Sequence, residues 1–291
     1  MSRTSEIRAA ETIVAAEIMV EEAMEVAGLR GGYPGPPPAW MDPFLAVDHF
    51  VMREPSIGPH PHAGFSAVTV LFEDSPGSFL NRDSLGTVTT IEPGGVHWTQ
   101  AGSGVLHEEK PSHPPAAGHG AQIFVDLPPA LEEAPPKLHH LEPSQVPVVE
   151  VADGRVRVIA GSFGGVESPL RPDSDVTLLD VTLPAGVSTV VPAPARRSAF
   201  VLAIRGDGVV GAAGEEQPLL ADHAVGFGDG HGDAVRIVAG DDGLQFLFGG
   251  GTRLRQPIHW LGGVAMSTLP RAEAATRRFQ AGAMGHLEPS F

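Results

Sequence analysis

The chain has no cysteine among its 291 residues. That absence excludes disulfides, thiolate metal sites and a cysteine nucleophile, so any metal must take imidazole and carboxylate ligands. Basic residues are scarce: 19 Lys and Arg stand against 35 Asp and Glu, for a formal net charge of −16. No basic cluster extends beyond the pairs Arg196-Arg197 and Arg277-Arg278. A surface of that sign repels a phosphate backbone, which argues against direct binding to nucleic acid. Long apolar runs are missing too, and none approaches the roughly 18 residues that a membrane helix needs. The first residues lack a signal-peptide core, because Glu6 and Glu11 interrupt the apolar stretch. These absences predict a cytoplasmic protein with no membrane partner.

What is plentiful is turn chemistry, with 36 Gly and 28 Pro. That composition suits short strands better than helices and predicts an all-β chain with few short helices. Residues 1–30, as in the run 11–26, are the exception. They are rich in Ala and Glu, which predicts a helix, followed by a Gly/Pro linker at 31–38. From Asp42 onward β-rich runs recur at 66–72, 86–91 and 121–127, each closed by Pro or Gly. Residues 128–148 read as a connector. A second β-rich set follows at 155–159, 176–183, 200–204, 225–227 and 244–248, with Gly206-Asp207-Gly208 as a tight-turn signal. A helix is expected over 271–280, capped by Ser267 or Thr268 and stopped by Gly282. The division expected is an extension and linker at 1–41, a first β domain at 42–148 and a second at 149–291, the pair implying an internal duplication.

Two short phrases carry chemistry. His60 and His62 stand in Gly58-Pro59-His60-Pro61-His62-Ala63-Gly64-Phe65, and His107 and Glu109 in Gly104-Val105-Leu106-His107-Glu108-Glu109-Lys110-Pro111. Each pair is spaced i, i+2, which on a strand puts both side chains on one face. Two such pairs on neighbouring strands converge three imidazoles and a carboxylate, a ligand set for one divalent transition metal. Fe(II) is the first expectation, with Mn, Co, Ni, Cu and Zn as alternatives that the donor types also suit. Glu108, between the two ligands, is expected to face solvent. His113, His119, His139 and His140 read as solvated loop residues, Trp98 as packing, and the glycines at 94, 95, 102 and 104 as barrel turns.

Longer motifs surround these residues. Asp42-Pro43-Phe44-Leu45 with Asp48-His49-Phe50, the His60 phrase, and the run from Pro93-Gly94-Gly95-Val96-His97-Trp98 to His107-Glu108-Glu109 resemble the pirin family of bicupins. Gln256-Pro257-Ile258-His259-Trp260, Val264-Ala265-Met266-Ser267-Thr268 and Phe279-Gln280-Ala281-Gly282 resemble that family's C-terminal segment. The resemblance implies two cupin-type β-barrels (double-stranded β-helices) in tandem, with metal on His60, His62, His107 and Glu109 of the first. In the second, the position of a cupin His-x-His reads Arg196-Arg197-Ser198-Ala199-Phe200-Val201, which offers no ligand. It further implies a quercetin 2,3-dioxygenase type of oxidoreductase acting on a small, flavonol-like aromatic substrate and dioxygen, with Glu109 taking the hydroxyl proton. Phe65, Val105 and Phe124 would form apolar pocket walls, and Gln122 matches a polar pocket position. The alternative is a metal- or redox-dependent regulatory protein that binds a transcription factor or a metabolic enzyme without physiological turnover. Ser66 departs from the family pattern, standing where a Glu is usual.

Overall fold

The computed structural model describes residues 12–15, 17–21, 24–30, 37–55, 57–151, 153–227 and 232–291, with only the backbone described before residue 37. The chain forms two compact units, each woven from separate stretches. One comprises 17–37, 44–145 and 254–291, and the other 1–16, 38–43 and 146–253. The C-terminal helix therefore belongs with the first-half strands and does not end the second β unit. Among the described residues no helix is long and apolar enough to cross a membrane.

The first-half unit is built from two large sheets and the short pair His259–Leu261 with Val264–Met266. A seven-stranded sheet runs Lys137–Leu141, Val96–Gln100, Phe65–Leu71, Gly118–Asp126, Phe44–Met52, Met24–Arg30 and Glu17–Glu21, and a four-stranded sheet runs His60–His62, Val105–Pro111, Phe79–Asp83 and Val88–Ile91. The β-branched Val68, Thr69 and Val70 favour extension of Phe65–Leu71, and every residue of that strand is buried. One end of the interior is apolar, filled by Phe50, Met52, Leu71, Phe79 and Ile91. The other holds Leu45, Phe65, Ala67 and Ala265. Between these ends lies a polar row, set by the register His140↔His97↔Thr69↔Gln122↔Asp48 across five strands.

The chain returns to this unit after the second barrel. Ala63 pairs with Val264, and Gly64 sits so close that a Cβ there would lie 1.8 Å from the Ala265 carbonyl. With φ at +87° as well, the position admits only glycine. The helix Leu269–Gln280 follows, with Thr268 as N-cap and Gly282 just beyond its end at φ +72°. Ser267 does not cap it, because its hydroxyl donates to buried Glu132.

The second-half unit is a nine-stranded sheet, with the short pair Ser162–Phe163 and Val166–Glu167, and has an apolar interior that includes Val158, Leu179, Val201, Phe227, Phe246 and Phe248.

Three sequence expectations are corrected. The described stretches of the expected N-terminal helix are strands, within Thr12–Ala15, Glu17–Glu21 and Met24–Arg30. Thr12, Ile13, Val14, Ile18, Val20 and Val26 favour extension, and sheet edges offer the backbone partners. Gly206-Asp207-Gly208 is not a turn. It lies inside the long strand Arg197–Val210 as a bulge, with Gly206 at φ +76°. Residues 128–148 are more than a connector, because Lys137–Leu141 forms an edge strand on Val96–Gln100. Most of the expected linker, 31–36, lies outside the described residues.

Candidate metal centre

The ligand strand Val105–Pro111 pairs antiparallel with His60–His62 on one side and Phe79–Asp83 on the other. The register places His107 opposite His60, Val105 opposite His62 and Glu109 opposite Asn81. The three imidazoles converge, each offering a nitrogen within 4.8 Å of the others. His60 Nε2 and His107 Nε2 are 3.0 Å apart. His60 Nδ1 donates to the Gly58 carbonyl at 2.9 Å, which fixes the tautomer that frees Nε2. The buried Nδ1 of His62 has no hydrogen-bond partner.

These features fit a metal. Two bonds of about 2.1 Å to imidazole nitrogens at roughly a right angle require an N···N separation of about 3.0 Å. A buried imidazole nitrogen without a partner also needs a reason to be there. Burial lowers the pKa of all three histidines, and for His62 and His107 the neighbouring imidazoles lower it further. The rings are thereby kept neutral, the form that can donate a lone pair.

Glu109 is buried on the same inner face but stands outside the cluster of three imidazoles. Its carboxylate is bound by Thr69 Oγ at 2.7 Å and Asn81 Nδ2 at 2.9 Å. Burial raises its pKa, against the lowering effect of those two hydrogen bonds. Sequence reasoning did not find Thr69 or Asn81, since only the strand register brings them to Glu109. Asn81 Nδ2 also approaches His107 Nδ1 at 3.4 Å, so one amide stands beside both residues of the motif.

The residues expected to line a pocket share this interior. Val105 lies opposite His62, and Phe65 and Phe124 have ring centroids 5.0 and 5.3 Å from the His62 ring. Gln122 sits beside Thr69 with its Nε2 unpartnered. Trp260, from the returning segment, was not foreseen and stacks on Phe65 at 5.5 Å. Ser66 is buried, and strand alternation points it away from the face of Phe65, Ala67 and Thr69.

Other expectations need correction. Glu108 is fully buried, because Arg82 and Ser290 cover it. Three of the presumed loop histidines lie on strands. His119 bonds Asp74 and His49, His139 faces Trp98, and His140 faces His97. His113 is exposed as expected, and Trp98 is wholly buried.

His97 is 2% exposed, and neither ring nitrogen has a hydrogen-bond partner. Burial first, then the neighbouring His140 and His139, depresses its pKa from 6.5 to about 4. Unfolding restores the ordinary value, so below about pH 6.5 the unfolded chain binds a proton that the folded chain refuses. Stability is therefore complete above that pH and is lost as pH falls through about 4. A shift of this size amounts to about 3 kcal/mol. His97→Leu should show a shallower fall in denaturation free energy between pH 7 and 4 than wild type. Parallel pH profiles would remove His97 as the cause.

In the second-half unit the strand that carries the expected His-x-His position contributes Ala199 and Val201 to an apolar core with no metal-donor atoms. His223 lies at its strand start, half-buried, while His231 lies outside the described residues. Elemental analysis of metal-loaded protein should find one ion per chain, and two would contradict the asymmetry.

Comparison with known proteins matches two successive segments of the chain. The family described as Pirin matches residues 34–125, and the Pirin C-terminal cupin domain matches residues 178–285. A protein described as a putative quercetin 2,3-dioxygenase of Pseudomonas aeruginosa is 31% identical over 264 residues, spanning 86% of this chain and 89% of its own. The crystal structure of a quercetin 2,3-dioxygenase from Acinetobacter baumannii superposes with a TM-score of 0.84 at 24% identity, covering 97% of this chain and all of that one. That of a bacterial pirin from Escherichia coli, in complex with nickel(II), gives 0.64 at 17% identity over 83% of this chain and all of its own. With both cupin halves matched in order along one sequence and the relatives aligned across most of it, the chain belongs to the pirin family.

Proposed function

We propose that the protein is a cytoplasmic, metal-dependent dioxygenase of the quercetinase type, acting on a flavonol-like substrate. The observation that carries this reading is the group of three converging, neutral imidazoles with a buried carboxylate beside it on the same inner face. The Pseudomonas relative's description supports the reaction class. The nickel(II) complex of the Escherichia relative supports a first-row divalent ion, with Fe(II) our first choice. Bound to His60, His62, His107 and Glu109, such an ion would supply a Lewis acid for a substrate oxygen and a redox-capable centre.

The remaining work falls to the side chains. Glu109 takes the substrate hydroxyl proton at a carboxylate oxygen. Thr69 and Asn81 hold that carboxylate in one orientation. Gln122 Nε2, with no internal partner, is free to donate to a substrate oxygen. Phe65, Val105 and Phe124 offer apolar contact to flat rings and exclude water.

Oxygen uptake with a flavonol panel tests the reading on protein reconstituted separately with each candidate metal. The expected result is metal-dependent consumption of flavonol and dioxygen together. No turnover with any of the metals would sink it and favour the regulatory alternative.

A further inference from the structure

The back of the ligand strand is covered in a way the dioxygenase reading does not use. Along Val105–Pro111 the inward residues are Val105, His107 and Glu109, and the outward ones are Leu106, Glu108 and Lys110. Each outward residue is met in order by the segment that follows the C-terminal helix. Leu106 packs in one cluster with Met284. The Leu106 N–H donates to Ser84 Oγ, which itself donates to the Met284 carbonyl at 2.6 Å. Glu108 accepts from the Ser290 N–H at 3.1 Å, from the Ser290 hydroxyl and from Arg82 at 2.9 Å. Arg82 also donates to the Glu288 carbonyl at 3.3 Å. Lys110 donates to the Ser290 carbonyl at 3.1 Å and stands over the Phe291 ring.

The same return of the chain reaches the other ligand strand. Gly263 accepts from the Ala63 N–H and is pressed against Pro61 so closely that a Cβ would lie 1.9 Å from its carbonyl. Residues 263 and 290 thus brace the His60–His62 strand and the His107 strand separately.

We propose that residues 284–291 form a strap that holds the ligand strand from behind, with Glu108 as its positioning residue, and that this strap sets how slowly metal leaves the site. The inference rests on the assignment of His60, His62 and His107 as ligands. Fixing Glu108 fixes the backbone between His107 and Glu109, and therefore both inward side chains. Arg82 comes from the strand on the far side, so the carboxylate ties the strap and two strands together.

The test uses the full chain loaded with Co(II). Wild type should bind one equivalent and give a defined ligand-field spectrum. Glu108→Ala should lose Co(II) to a chelator about 10–100-fold faster, the range for removing a partner that orients a ligand, and should shift the spectrum. Ser290→Pro removes both Ser290 donors and leaves the Glu108 charge, so it should accelerate release in the same direction even if Glu108→Ala does not fold. Glu108→Gln keeps an acceptor oxygen and should stay within a few-fold of wild type. Wild-type release and spectrum in both Glu108→Ala and Ser290→Pro would overturn the strap. So would Glu108→Gln releasing as fast as Glu108→Ala while Ser290→Pro stays at the wild-type rate, since charge alone would then be responsible. Wild type that binds no Co(II) would instead overturn the ligand assignment beneath the proposal.

Discussion

His107→Ala should purify as a folded β protein that no longer holds stoichiometric metal. Among the described residues His107 supplies one of the three nitrogens that converge, and its Nε2 sits 3.0 Å from that of His60. Removing a mere outer partner of a ligand costs ~10–100-fold in affinity, and removing the ligand itself should cost more. The fold should survive, because the apolar ends of the barrel do not include His107. The substitution also deletes a buried ring whose protonation the fold resists, so the apo variant should tolerate mild acid better than apo wild type. His60→Ala should behave alike at the metal. The check pairs elemental analysis after loading with far-ultraviolet circular dichroism. One tightly held ion per chain in both variants would show that the imidazole cluster is not the site.

The ligand pairs were legible in the sequence because a strand converts i, i+2 spacing directly into a shared face. What completes the site was not. Thr69 and Asn81 carry no local signal, and only the register Asn81↔Glu109 and the alternation of the Phe65–Leu71 strand bring them to the carboxylate. Glu108 shows a different limit. Alternation put it correctly on the outer face, but whether that face meets water depends on Ser290, 182 residues away. Residues 11–26 failed for a third reason. Ala and Glu favoured a helix locally, while their β-branched neighbours and the hydrogen-bonding edge of a sheet favoured strand, and tertiary pairing outweighed propensity. In 206–208 turn residues serve a bulge instead, because Arg197–Val210 runs on through it and pairs with Ala234–Thr252 both before it, at Gly206, and after it, at Gly208.

Glu109→Gln should cost turnover on the order of ~10²–10⁴, the effect of removing a positioned acid–base group. The amide keeps nearly the shape of the carboxylate, so Thr69 can still donate to its oxygen. Asn81 then competes with the new NH₂ for acceptors in a buried space. What is lost is the proton acceptor and the site's one carboxylate donor, so metal affinity should also weaken. The two losses are separable by measuring turnover at saturating metal, where only the missing base remains. Glu108→Gln is the natural comparison, since it deletes the same charge one residue away on the opposite face. It should change saturating turnover by only a few-fold, because its carboxylate touches Arg82 and Ser290 and not the interior. Equal losses from the two variants would mean that the charge matters and the position does not. Full flavonol turnover in metal-saturated Glu109→Gln would remove Glu109 as the base.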